Sequence, residues 1–549
     1  AEPLGVKVEF VGQGTTRRGG RRMLRCMCIA LCGLGLLSVA YALLSAVAPT
    51  PVRGQWGEWQ TRNMVSTARN LPEVVDPERG LNVRWTADLG GQTHGTPVAA
   101  GDRVLIGTNN ERPRDPRLRG DAGVLLCLDA RTGKLVWQLV VPKVGGSPYN
   151  DWPGTGLCSS PTVEGDRVYV VTNRNELACL DLKGMADGNQ GPYVDEGRHM
   201  VGEGKEPVEP SQTDADILWL FDIVKECGTH RHDAAHGSPV VDGDVLYVNT
   251  SNGVTDEHMM TPALDAPNIV AVDKRTGKWL ARDGLRIGER NIHAGWSSPA
   301  IGTVQGRRVI LLGGPDAVCY GFAAYEPSQA VEGGPAILKL LWSFDCDPDA
   351  PKQDIFRWQD NRKEGPSTIA AMPVFHKGRV YVVAGGDLWH GKPQSWLKCI
   401  NPEGEGDITR SGLVWSYPFA GYGTATPAVA DGLAIVVSSN GTVHCVDTTT
   451  GKAVWTCETE PEIWASPLIA DGKIYLTSRN GYLVVLAAGR QKRIISSVRL
   501  GGSISASPTA VGDTLYVANM RTLFACGIKQ PQRRSSALGA GQTTARRMP

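Results

Sequence analysis

The sequence predicts an all-β fold, an eight-bladed β-propeller of four-stranded antiparallel blades closed by an N-terminal strand that completes the last blade. Three observations predict it. A phrase built from a small residue, proline, an apolar run, a glycine turn and a β-branched strand recurs eight times, with its prolines at Pro97, Pro161, Pro239, Pro299, Pro373, Pro427, Pro467 and Pro508. Each copy reads as a hairpin, two strand-length apolar runs around a turn signal. Most copies are followed by a second phrase, seen in LLCLDARTGKLVW (125–137), ELACLDLKG (176–184), IVAVDKRTGKW (269–279) and VHCVDTTTGKAVW (443–455). It adds a third strand, an Asp-x-x-Thr-Gly turn and a fourth strand bearing Trp, which makes a blade. Finally, the last copy ends at 523–527 with three strands, while LNVRWTADL (81–89) supplies an unmatched fourth ahead of the first copy. Pairing the two closes the ring and removes its open edges.

The elements then follow in chain order. Residues 1–22 form a basic lead, in which six Lys/Arg stand against two Asp/Glu over 1–25. Residues 23–48 read as a signal peptide or signal anchor. Arg21, Arg22 and Arg25 precede an apolar run over 27–47 that ends in small residues before Pro49, long for a cleaved signal and sufficient to span a bilayer. The chain is therefore expected to be exported, periplasmic or anchored to the membrane through 27–47. Residues 49–80 read as a linker and 81–527 as the propeller. The tail 528–549, with five Lys/Arg and no acidic residue, has no apolar periodicity and reads as disordered. The formal charge of +1 thus combines basic ends with a mildly acidic body, which excludes the clustered basic face of a nucleic-acid binder. A propeller closed on itself is expected to be monomeric.

The Asp-x-x-Thr-Gly-Lys-x-x-Trp phrase, intact at 129–137 and 447–455, resembles the repeat of the pyrroloquinoline quinone (PQQ) family of eight-bladed propellers. The resemblance covers 81–527 and is nearest to exported PQQ-like proteins of planctomycete type. It implies one of two functions, since the superfamily holds both quinoprotein alcohol dehydrogenases and a cofactor-free propeller lipoprotein of outer-membrane assembly, and fold alone does not choose. The first is a ligand-binding or protein-scaffold module of the cell envelope, with envelope proteins or a small organic ligand as partners. The alternative is a quinoprotein-type oxidoreductase acting on alcohols or sugars with PQQ and calcium. Such enzymes carry adjacent disulfide-bonded cysteines over the cofactor, and no two of the thirteen cysteines here are adjacent.

Loops before the inner strands and those joining second to third strands crowd one face of a propeller. Seven of the ten histidines fall there: His94, His230, His232, His236 and His293 before inner strands, His258 and His390 in second-to-third connections. The densest sector spans blades 3 and 4, where HRHDAAHGSP, SNGVTDEHMMTPALDAPN and NIHAGWSSP become neighbours. It defines the candidate ligand site: His94, His232, Asp233, His236, Asn252, Glu257, His258, His293 and Trp296. Imidazole with carboxylate suits a transition metal, for which His232, His258 and His293 are the candidates, or a general base. His230 and His232, two apart on extended chain, point in opposite directions and are not expected to share an ion.

Other features read as structural. Cys127, Cys179, Cys399, Cys445 and Cys526 recur at one third-strand register and are expected as small core groups, whereas Cys158 and Cys227 lie in loops where pairing is open. Trp85, Trp137, Trp219, Trp342, Trp415 and Trp455 share a fourth-strand register, which points to packing between blades. Asn173, Asn252, Asn440 and Asn480 close second strands and serve turn geometry. Asp187, Asn189, Asp195 and Glu196, in the insertion 183–216, either ligate calcium or belong to a solvated acidic loop.

Overall fold

The structure, a computed structural model, describes residues 51–233 and 237–528. The basic lead, the apolar segment 23–48, the tail from 529 and His236 lie outside the described residues. Among the described residues no helix is long and apolar enough to cross a membrane.

Eight sheets follow one another along the chain, each built on four antiparallel strands. Blade 1 is typical, with Val98–Ala100 innermost, then Arg103–Asn109, Ala122–Asp129 and Leu135–Pro142. The inner strands of blades 2 to 8 are Thr162–Glu164, Val240–Asp242, Ala300–Val304, Val374–His376, Ala428–Ala430, Leu468–Ala470 and Thr509–Val511. The predicted closure is present: Val83–Asp88 pairs with Thr522–Cys526, Trp85 opposite Ala525, and completes blade 8.

Two devices hold neighbouring blades together. The first is apolar: eight clusters of buried side chains occupy the blade-to-blade interfaces, including the one between blades 8 and 1. The fourth-strand tryptophans lie at these interfaces, as their register predicts. The indole N–H of Trp85, Trp137, Trp219, Trp415 and Trp455 donates to Ala130, Leu182, Lys274, Thr448 and Gly489 of the following blade at 2.8–3.2 Å. The acceptor lies at or beside that blade's Asp-x-x-Thr-Gly turn where the motif is present, and the turn is itself tied by Asp129 or Asp447 accepting from Thr132 or Thr450.

The second device is polar and explains the residue before each inner-strand proline. Its backbone N–H donates to the hydroxyl of the equivalent residue one blade on: Thr96 to Ser160, Ser160 to Ser238, Ser238 to Ser298, Met372 to Thr426, Thr426 to Ser466, Ser466 to Ser507, and Ser507 back to Thr96, at 2.9–3.2 Å. The chain is interrupted where Met372 offers no hydroxyl to Ser298. There Ser297 bridges instead, its Oγ donating to the carbonyl of Ala371 at 2.7 Å.

Two expectations need correction. Residues 52–80 are not a free linker: 52–69 form a strap that crosses the far ends of the inner strands and bonds to the blades in turn. Arg53–Gly54 pairs with blade 2, Gln60 bonds to Val241 and Ile301, Thr61 to Phe375, Asn63 to Val429, Val65–Ser66 pairs with blade 7, and Arg69 bonds to Gly512 of blade 8. Exposed strand-end N–H and C=O groups in a channel need partners, and the strap supplies them. The cysteines are buried free thiols, but Cys526 departs from the shared register. Cys127, Cys179, Cys399 and Cys445 face the fourth-strand Trp, whereas Ala525 takes that place in blade 8 and Cys526 pairs with Val83. Cys158 and Cys227 are also free thiols.

Candidate functional site

Loops of blades 3, 4 and 5 build the site at the mouth opposite the strap. His232 sits on the loop that leaves the short helix Ile223–Cys227, whose end is marked by Gly228 in the left-handed conformation. Gly253 lets that loop approach: a Cβ there would lie 2.3 Å from the Cβ of His232, so only glycine fits. Gly253 donates its N–H to the carbonyl of His230 and bridges to Ala294, joining three loops. Asn252 reinforces the join, accepting from His230 N at 2.9 Å and donating to the Ala263 carbonyl at 3.0 Å. Asn291 donates to the Asn252 carbonyl and accepts from His293 N.

Within this frame four imidazoles converge. Ring centroids are 4.5 Å apart for His232 and His258, 5.1 Å for His232 and His293, 5.0 Å for His258 and His293, and 4.7 Å for His258 and His390. His232 Nε2 faces His258 Nε2 at 3.0 Å, and one ring nitrogen from each of His232, His258 and His293 lies within 4.8 Å of the others. His293 is held between two carboxylates, Nδ1 at 3.2 Å from Asp387 and Nε2 at 3.2 Å from Asp233. Asp233 in turn accepts the indole N–H of Trp152. Asp387 uses its other oxygen to accept from the backbone N–H of Trp389 and His390 at 2.9 and 2.8 Å. Aromatic rings wall the group: Tyr149 stacks on His232, Trp296 lies 4.6 Å and Trp389 5.4 Å from His293, and Trp389 continues to Trp464.

The electrostatics follow from burial and pairing. Burial lowers the His232 pKa to about 4, helped by the neighbouring imidazoles His293 and His258. His258 is lowered by burial and by His293 and His390. Burial opposes charge on His293 too, but Asp233 and Asp387 outweigh it and raise its pKa to about 9. Burial would raise both aspartates, yet His293 pulls Asp233 down to about 2 and also lowers Asp387. Asp233 and His258 are held at φ +60° and +55°, a region that costs a non-glycine residue about 1–2 kcal/mol, so the surrounding contacts outweigh local preference at two site residues.

Of the expected residues, His232, Asp233, His258, His293 and Trp296 come together, and Asn252 serves as the brace behind them. Glu257 does not join: it is exposed on the outer side of the turn that buries His258. His94 lies in the loop before blade 1, outside the grouped imidazoles. His230 also stays out, as its alternation with His232 predicts. Sequence reasoning missed Tyr149, Trp152, Asp387 and Trp389, and placed His390 on this face without making it a candidate. GGDLWHG of blade 5 occupies the same second-to-third connection as SNGVTDEH of blade 3, and that equivalence was the available signal. The insertion 183–216 gathers no ligand set. Lys183 pairs with Asp187, Asn189 donates to the buried Glu196, and Glu196 begins a short helix to Val201.

Among the described residues the site offers no room for a quinone. The imidazoles touch one another, and the void beside His232, bounded by Asn150, Asn173, Arg231 and Ser251, measures about 10 Å³, room for one water. The converging donors are nitrogens, whereas calcium requires a shell of oxygens. A larger void of about 290 Å³ lies between the strap and blades 7, 8 and 1, but no histidine lines it.

The chain is similar to several known proteins. A 1-butanol dehydrogenase (cytochrome c) of Thauera butanivorans is 31% identical over 117 residues, 19% of this chain and 16% of that protein. The chain thus spans under a fifth of the curated relative it matches. The structure of BamB from Moraxella catarrhalis aligns at 13% identity with a TM-score of 0.49, covering 80% of this chain and 98% of that one. The quinohemoprotein alcohol dehydrogenase of Comamonas testosteroni aligns at 12% identity and a TM-score of 0.43, covering 86% and 80%. The family described as outer membrane protein assembly factor BamB matches residues 68–321 and 376–543, well over half of the sequence, and the chain belongs to that family.

Proposed function

We infer that this propeller is a binding module of the cell envelope whose working site is the closed imidazole and carboxylate cluster at the channel mouth, and not a quinone-dependent dehydrogenase. The observation that carries the reading is the packing of His232, His258, His293 and His390 against one another, which among the described residues leaves no slot for a flat tricyclic cofactor. The family's description as an outer membrane assembly factor supports an envelope location, and the apolar segment 27–47 supports export and tethering. With the far end of the channel crossed by the strap, partners are met at the mouth and on the outer faces of the blades.

The test is reconstitution. Full-length protein is incubated with PQQ and calcium, freed of excess by gel filtration, and assayed for quinone absorbance and for dye reduction with butanol, ethanol and glucose. The expected result is no retained quinone and no dye reduction. Stoichiometric quinone with alcohol-dependent reduction overturns the reading in favour of an oxidoreductase. Crosslinking in intact envelopes is expected to recover components of outer membrane protein assembly, and a chain found only in the cytoplasmic fraction defeats the location.

A further inference from the structure

We propose that His232, His258 and His293 bind a single divalent transition-metal ion of the zinc type through their Nε2 atoms, with Asp233 as the adjacent carboxylate. The proposal rests on the reading of the mouth as a closed imidazole site and names its ligand.

Three independent features point to a cation. The first is the His232 and His258 pair. His258 Nδ1 lies 3.0 Å from the carbonyl oxygen of Asp256, an acceptor only, so Nδ1 carries the proton and Nε2 presents a lone pair toward His232 Nε2. His232 Nδ1 is buried and, among the described residues, has no close hydrogen-bond partner, the backbone of Val254 offering that imidazole at most a weak one. Placing the His232 proton on Nε2 satisfies the pair but leaves a buried lone pair at Nδ1. Placing it on Nδ1 sets two lone pairs against each other at 3.0 Å. An ion that takes both Nε2 lone pairs removes the repulsion without breaking the Asp256 bond.

The second feature is the third nitrogen. A ring nitrogen of His293 belongs to the same group within 4.8 Å, and because its Nδ1 is tied to Asp387, Nε2 is the nitrogen left for an ion. A carboxylate on the far nitrogen of an imidazole is the arrangement that orients metal-bound histidines and raises their basicity. Asp387 is thus a positioning residue. The ion takes the place of the proton that His293 Nε2 now shares with Asp233.

The third feature is charge. Asp233 is itself mostly buried, and among the described residues its ion pair is with His293 at 3.2 Å. Once the His293 proton is displaced, Asp233 and Asp387 leave two negative charges beside the three imidazoles, which a divalent ion balances. Three imidazoles and a carboxylate suit zinc and its neighbours in the first transition row, and disfavour calcium and magnesium, which take oxygen shells. His390, with Asp387 and His293, forms a second set within the same distance. Asp387 is already engaged there on both oxygens, and His390 turns Nδ1 toward Asp360 at 3.2 Å, so the first set is the assigned one.

The experiment uses the full chain, purified without chelator or affinity tag. Elemental analysis is expected to find one zinc-type ion per chain. After stripping, titration with Co²⁺ is expected to give the visible d–d bands of a tetrahedral site with one equivalent. His232→Ala and His258→Ala are each expected to lower Co²⁺ affinity by about 100-fold or more, while His376→Ala, beside Asn63 of the strap, keeps it within a few-fold. Near-ultraviolet circular dichroism checks the fold of each variant. X-ray absorption on the zinc-loaded wild type, which needs no variant, is expected to show scattering from three imidazoles. A folded wild-type chain that takes up neither ion, zinc without imidazole scattering, or folded His232 and His258 variants that bind as wild type, each overturns the proposal. Quinone uptake would instead defeat the closed-site reading, and absence of metal leaves that reading standing, so the two failures are distinguishable.

Discussion

Ser507 donates its backbone N–H to the hydroxyl of Thr96 at 3.2 Å, joining two residues 411 positions apart in the chain. The bond closes a series of backbone-to-hydroxyl contacts around the channel that is interrupted between Ser298 and Met372, where Ser297 bridges to Ala371. Each hydroxyl therefore satisfies an amide of the preceding blade, and the blades are registered by polar contacts as well as by apolar packing.

Removing one hydroxyl strands one buried amide. Ser466 is buried and accepts from Thr426 N at 3.0 Å. Ser466→Ala is expected to destabilise the protein by about 1–3 kcal/mol, the cost of an unsatisfied buried donor. Ser466→Thr keeps the acceptor, as Thr96 and Thr426 do in their own blades, and should stay near wild type. Urea midpoints measure both, and an alanine variant as stable as the threonine one would refute the contribution of this series.

The Trp contacts make a second, steric prediction. Gly133 has φ +70°, and a Cβ there would lie 2.4 Å from Cε3 of Trp85, the residue on the closing strand. Gly165 has φ +64° with open space around its added Cβ. Alanine at either site carries the backbone cost of about 1–2 kcal/mol, but only Gly133→Ala also displaces Trp85. Hydrogen exchange should therefore rise across 83–88 and 522–526 in Gly133→Ala and not in Gly165→Ala. Equal exchange in the two variants would show that Trp85 does not secure the closure.

What could be read from the sequence was what repeats. Eight proline phrases and six aligned tryptophans declare a ring, because each blade solves the same packing problem with the same residues. The strap was missed because QWGEWQTRNMVS has no period: its partners are single carbonyls and amides on successive blades, and such pairing leaves no pattern in the strap itself. At the site, histidine counting located the right loops but could not orient neighbours. Glu257 and His258 differ only in which side of a turn they face, and the left-handed φ of His258 decides it. Asp387 reads as an ordinary turn residue in GGDLWHG, and its bond to His293 appears only when blades 4 and 5 are side by side.

A pH prediction comes from a pair remote from the mouth. Glu176 lies 3.0 Å from His199 Nε2, nearly all of that imidazole being buried. Burial would raise the Glu176 pKa, but the His199 hydrogen bond and charge, with Arg174 and Thr172, lower it below 4.5. A carboxyl depressed in the folded state stabilises it at pH above its unfolded value, and that contribution is lost as pH falls through the folded value. The stability difference between wild type and Glu176→Gln should therefore be largest near neutrality and shrink as pH drops below 4.5. A difference that holds constant down to the acid transition would contradict the pairing.

The strap yields the last prediction through Arg62. Its guanidinium is fully buried and bonds only to carbonyls, of Pro299 and Trp56 at 3.0 Å, Ser238 at 2.9 Å and Pro239 at 2.8 Å. Burial with no carboxylate partner lowers its pKa to about 9. Desolvating the charge costs several kcal/mol, while each of four charge-assisted bonds returns about 1.5–3 kcal/mol. The bonds win by a few kcal/mol, so Arg62→Met should destabilise the protein by about 2–5 kcal/mol on the same values. Arg62→Lys distinguishes geometry from charge. An ammonium keeps the desolvation cost but cannot span carbonyls on both sides as the planar fork does, so lysine should be no better than methionine. In both variants hydrogen exchange should rise across 52–69 while the third strands of blades 3 and 4 stay protected. Lysine restoring wild-type exchange would mean that charge alone holds the strap, and unchanged exchange in both would mean that Arg62 does not hold it.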